Sequence, residues 1–193
     1  MNRKQTGRTT YHHGNLKRAL MDAALRLVTE GGPDAFTMAE AAREAGVSSG
    51  APYRHFPDRR SLLRAVADEA QDLLDQRLEA SVSQAGSDPW ERLVALGDAQ
   101  IGFALSHPAH YRVLCSPEYR DPDDEATQSE VETNRARMTA SAGSREHATS
   151  FAAQCAIYGL ARMAVDGQLG PELQPEELSR ALRAVLLSFR GRT

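Results

Sequence analysis

The 193 residues predict an all-α chain of about nine helices: an N-terminal three-helix unit with a helix-turn-helix, followed by a larger helical body. Three observations lead there. Apolar residues recur at i, i+3, i+4 and i+7 almost throughout, with no convincing strand alternation. Glycine, proline and capping residues cut this pattern into short lengths. Positive charge gathers at one end: residues 1–64 hold 11 Lys and Arg against 6 Asp and Glu, and residues 65–193 hold 12 against 20. A basic third of +5 on a body of −8 suggests that one end meets a polyanion, although solvated surface charge could fluctuate as far.

The elements follow in order. Leu16, Ala19, Leu20, Ala23, Ala24, Leu27 and Val28 form one apolar helix face, which Gly31-Gly32-Pro33 stops. Thr37 to Glu40 reads as a capping box, and Gly46 as the end of the short helix that follows. Ser48 or Ser49 starts another short helix; with Ser49 as cap, Pro52 takes its third position, where a missing N–H costs little. Asp58 caps a long helix carrying Leu62, Val66, Ala70, Leu74 and Leu78. Asp88-Pro89-Trp90-Glu91 opens the next, which His107-Pro108 breaks. A short helix over 109–115 and a loop over 116–124 precede a polar, helix-compatible stretch at 125–142. An alanine-rich helix then spans about 146–167, and Pro175 begins the last one.

Thr37 to Phe56 places two short helices around Gly46-Val47-Ser48, the layout of a helix-turn-helix or of an ordinary helical corner. In a helix-turn-helix the second helix enters the major groove by its N-terminal residues. The small residues Ser49, Gly50 and Ala51 allow close approach to base edges, and Tyr53, Arg54 and His55 supply donors for phosphate. Arg59, Arg60 and Arg64 add charge along the following helix.

Residues 36–66, FTMAEAAREAGVSSGAPYRHFPDRRSLLRAV, resemble the signature of the tetracycline-repressor (TetR) family. Thr37, Ala42, Ala45, Gly46, Val47, Ser48, Gly50, Tyr53, His55, Phe56 and Leu62 match its pattern, and the resemblance covers about residues 11–75. Ala41 stands where Ile or Val is usual, Arg59 replaces Lys, and Arg60 stands where an acidic residue is frequent. The resemblance implies a basic flexible tail (1–10), a DNA-binding domain (11–75) and a helical ligand-binding and dimerisation domain (76–193). Operator contacts are expected from Thr37, Ser48, Ser49, Gly50, Ala51, Tyr53, Arg54, His55 and Arg59. Residues 107–118, HPAHYRVLCSPE, resemble a branch with a Trp-x3-His-Gly motif, at which Gln154, Tyr158 and Gly159 align.

In the body, Phe103, Tyr111, Tyr119, Phe151, Tyr158 and Met163 are candidates to line a ligand pocket or simply to fill a core. The expected homodimer seam combines Ala152 and Ala156 with the stripe Leu182, Val185, Leu186 and Phe189. Cys115 and Cys155 stand forty residues apart and read as unpaired thiols, Cys115 as an apolar filler rather than a redox sensor. Adjacent His12 and His13 make a poor chelate, so no metal or cofactor is expected. No nucleophile motif, catalytic carboxylate pair or phosphate loop stands out, so no enzymatic chemistry is assigned. Without a signal peptide or a long apolar run, a cytoplasmic setting is expected. The function expected is a repressor released from DNA by a small inducer. A ligand-independent DNA-binding protein of the same fold, or a helical enzyme with an incidental corner, stays open beside it.

Overall fold

The computed structural model describes residues 16–116, 128–129, 132–133, 136, 147–170 and 174–189. Among them are seven α-helices and one 3-10 turn, and no strand: α1 (Leu16–Gly31), α2 (Met38–Glu44), the 3-10 turn Pro52–Arg54, α3 (Arg59–Gln84), α4 (Pro89–Ser106), α5 (Pro108–Leu114), α6 (His147–Val165) and α7 (Pro175–Ser188). The all-α class holds. The helix count falls short of nine because the second helix of the motif is a single 3-10 turn and most of 125–142 lies outside the described residues.

Local chemistry sets the boundaries. Thr37 Oγ1 accepts the Glu40 N–H at 3.3 Å, and the Glu40 carboxylate accepts the Thr37 N–H at 2.8 Å, closing the capping box of α2. At the other end Val47 N–H reaches Ala42 O at 2.9 Å and Gly46 N–H reaches Arg43 O at 3.1 Å. This crossed pair needs a left-handed residue, and Gly46 supplies it at φ 72°. Asp58 caps α3 through Ser61 N–H at 2.7 Å, and Asp88 caps α4 through Trp90 N–H at 2.8 Å.

Pro52 explains why the second helix of the motif stays short. It has no N–H to send back to Ser48 O, which instead accepts from Ala51 at 2.9 Å. Pro52 O then takes both His55 and Phe56 N–H at 2.9 Å, so the segment tightens to a 3-10 turn. Its cap residue is Ala51, not Ser49, and no side chain caps it.

Leu20, Ala24, Val28, Phe36, Met38, Ala41, Phe56, Leu62 and Val66 bury the core of the N-terminal unit, with Pro52 beneath the turn. α3 does not stop there. Its 26 residues span about 39 Å, cross the expected 75/76 division without a break, and pack on α1, α4 and α5. In the body α4 is the hub, touching α3, α5, α6 and α7. Gly97 lets α6 and α7 approach: a Cβ there would collide with Leu182 Cδ2 and lie 3.1 Å from Ile157 Cγ1. Across the same seam Ser179 donates to Asp98 at 2.7 Å. Burial raises the Asp98 pKa, against the pull of that bond. No helix of the described residues is long and apolar enough to cross a membrane.

Candidate DNA-reading face and body cavity

The segment between α2 and α3 presents Ser48, Ser49, Gly50, Tyr53, Arg54 and His55 to solvent, with Ala51 half-buried. Tyr53 is 57% exposed although aromatic, while its neighbour Pro52 is buried. The turn thus anchors itself through Pro52 and Phe56 and turns its hydrogen-bonding side chains outward. Two of the expected contact residues are already engaged. Thr37 spends its hydroxyl on Glu40, donating to the carboxylate at 2.9 Å. Arg59 bonds the Pro33 carbonyl, lies 4.0 Å from Asp34 and sits 5.7 Å over the Phe36 ring, so it fastens the link between α1 and α2. Arg43, exposed on α2, lies on the charged surface of this unit and was not singled out from the sequence.

The body holds a cavity of about 240 Å3. Leu74, Leu78, Leu96, Leu114 and Ile157 supply its apolar walls. Gln71 from α3, Gln100 from α4 and Gln154 from α6 bring amides, and Tyr111 and Tyr158 bring hydroxyls. Phe151 flanks it, 68% exposed. Both cysteines also line it, Cys115 at the end of α5 and Cys155 on α6. Tyr111 is 2% exposed, and its hydroxyl accepts from Gln100 Nε2 at 3.4 Å. Burial pushes the Tyr111 pKa well above that of an ordinary tyrosine, with Cys115 and Tyr158 adding to the rise and Gln100 opposing it. The phenol therefore keeps its proton.

Of the six residues singled out for a pocket, Tyr111, Phe151 and Tyr158 line this cavity. Phe103 does not: it is 1% exposed and stacks on His107, ring centroids 5.0 Å apart, inside the core. Met163 points out, 38% exposed, and Tyr119 lies outside the described residues. Gln71, Gln100, Gln154 and the two thiols were missed, because uncharged polar residues on four separate elements give no local signal. The seam residues also need correction. Leu182 and Leu186 are fully buried against their own chain, since the α7 stripe packs on α4 and α6. Phe189 packs half-buried against the same core, and Ala152 and Ala156 are half-buried on α6. Val185 alone of the four stripe residues faces outward, 38% exposed.

Helix α5 stands between the two regions. Tyr111 faces the cavity, while its neighbour His110 meets Glu69 of α3 at 3.1 Å, and Glu69 also pairs with Arg18 of α1. On the other side of Tyr111, Arg112 donates to Thr29 O of α1 at 3.5 Å and to Val165 O at the end of α6 at 3.0 Å.

An N-terminal unit of α1, α2 and the 3-10 turn, joined in this way to a cavity-bearing helical body, has the architecture of the helix-turn-helix regulators. Residues 20–66 match the model of bacterial regulatory proteins of the tetR family, and residues 93–186 match the tetracyclin repressor-like C-terminal domain. The chain belongs to the TetR family of transcriptional regulators. It is similar to the HTH-type transcriptional regulator BetI of Rhizobium meliloti, 38% identical over 42% of this chain and 39% of that protein. It is also similar to the nucleoid occlusion factor SlmA of a Marinomonas species, 29% identical over 65% of this chain and 59% of that one. The matches thus span less than two thirds of either relative. A solved structure from Rhodococcus sp. RHA1, of unknown function, superimposes with a TM-score of 0.70 at 28% identity, over 94% of this chain and 98% of that one.

Proposed function

We propose that the protein is a homodimeric repressor that binds operator DNA through the exposed 48–55 face and leaves it when a small molecule fills the body cavity. The observation that carries the reading is the outward set of Ser48, Ser49, Tyr53, Arg54 and His55 on a turn whose Pro52 and Phe56 are buried. Such a set gives phosphate donors around small residues that can approach base edges. The contact set we favour keeps Ser48, Ser49, Gly50, Ala51, Tyr53, Arg54 and His55. It gives Thr37 and Arg59 supporting roles.

The cavity favours the ligand-responsive reading over the ligand-independent one. An effector there touches Tyr111, and the α5 grip on Glu69 and Thr29 passes any tilt of α5 to α1 and α3. A ligand acts on DNA binding only if it binds one tilt of α5 more tightly than another. For the dimer, the outward apolar residues of α6 and α7, Phe151, Met163 and Val185, replace the buried leucines.

A mobility shift with the DNA upstream of the protein's own gene tests the reading head. Tyr53→Phe with His55→Ala should weaken binding by about 1–2 kcal/mol per lost hydrogen bond. Unchanged affinity would remove this face from the account. Met163→Glu with Val185→Glu should give a monomer by light scattering; a persistent dimer would place the seam elsewhere.

A further inference from the structure

We propose that the body cavity captures an uncharged α,β-unsaturated carbonyl compound by covalent addition of the Cys115 thiol. The proposal rests on the reading of this cavity as the effector site and names the chemistry of its ligand. The sequence holds two cysteines, forty residues apart, and the fold brings both to one cavity. They are not equivalent. Cys155 sits exposed on α6. Cys115 ends α5, its N–H bonded to Tyr111 O at 3.0 Å, and its thiol interacts with the Tyr111 hydroxyl and the Arg162 guanidinium.

Each neighbour has a use in such an addition. The thiolate is the attacking species, and the Arg162 guanidinium, which also donates from Nε to Asp166 Oδ2 at 2.6 Å, lies near the sulfur. Gln100 donates to the Tyr111 oxygen, so the Tyr111 proton can turn from the Cys115 sulfur to a ligand carbonyl. That donor stays protonated because burial raises its pKa. A carbonyl so held is polarised at its β-carbon. The sulfur–carbon bond forms there, and the C=C π electrons move to the carbonyl oxygen as an enolate. The thiol proton, passed through water, returns to the α-carbon. The ketone is restored and no oxidant is consumed. A disulfide between the same two thiols would need one.

The cavity also limits charge and size. Among the described residues that line it there is no Asp, Glu, Lys, Arg or His. A charged ligand would lose its hydration with no charged side chain in the lining to pair it, and Arg162, outside the lining, is already paired with Asp166. A cavity near 150 Å3 suits benzene, so about 240 Å3 suits a ligand of about ten non-hydrogen atoms.

The probe is 2-cyclohexenone, with cyclohexanone as its saturated twin, on the full-length protein. Mass spectrometry should find one adduct on Cys115. Its formation should run at least about tenfold faster than at the same thiol in guanidinium-unfolded protein, saturate with probe and slow when cyclohexanone competes. Arg162→Gln and Tyr111→Phe should each slow addition at Cys115 and leave the rate at Cys155 unchanged. Cys115 reacting no faster than in the unfolded chain overturns the proposal, as does Cys155 taking the label first or cyclohexanone failing to compete. Cyclohexanone that raises Tm without any addition by its unsaturated twin overturns the thiol chemistry and leaves the effector cavity standing. Neither a Tm shift nor an adduct counts against both.

Discussion

Arg54 and Arg59 carry the same charge and do opposite things. Arg54 closes the 3-10 turn with its side chain in solvent, while Arg59 is tied to Pro33 O and the Phe36 ring. Arg59→Met should therefore cost about 1–2 kcal/mol of stability, for a charge-assisted hydrogen bond and a cation–π contact. Arg54→Ala should change stability by no more than about 0.5 kcal/mol, as surface substitutions do. Urea unfolding of the two variants checks the contrast, and equal losses would undo the assignment of Arg59 to the α1–α2 link. The sequence could not separate these arginines. Both follow from one charged motif, and only the path of residues 33–36 decides which of them finds a carbonyl.

At the scale of elements, what was legible is what is local. The capping box at Thr37–Glu40, the caps Asp58 and Asp88, the stop at Gly46 and the left-handed Gly167 two residues past the end of α6 each depend on a few consecutive residues. What was not legible depends on convergence. The α7 stripe announced an apolar face but not its destination, and Leu182 found Gly97 of its own chain rather than a second subunit. The cavity draws on α3, α4, α5 and α6 together. The third-position rule that lets a helix tolerate Pro52 does not foresee that the proline shortens it to a 3-10 turn. Two glycines of α4 make the packing argument testable. Gly97→Ala drives a Cβ into Leu182 and should cost about 1–2 kcal/mol net, overpacking set against better helix propensity. A Cβ at Gly102 meets only the guanidinium end of Arg77, which can swing aside. Gly102→Ala should be neutral or up to about 1 kcal/mol stabilising. Denaturation midpoints that move together would mean that α4 does not pack against α7 as described.

At the scale of the whole molecule, the charge split and the fold agree. The described part of the basic third, residues 16–64, carries the proposed DNA-reading face, the acidic body holds the cavity, and α3 and α5 run between them. The proposed repressor function depends first on the 48–55 face meeting phosphates, and the salt dependence of binding measures that most directly. Fluorescence anisotropy on the upstream DNA should give an affinity that falls steeply with salt, with a log–log slope of about −0.9 for each phosphate neutralised. In Arg54→Ala the slope should be shallower by about one for each subunit bound. A slope near zero, or one identical in wild type and Arg54→Ala, would contradict the account.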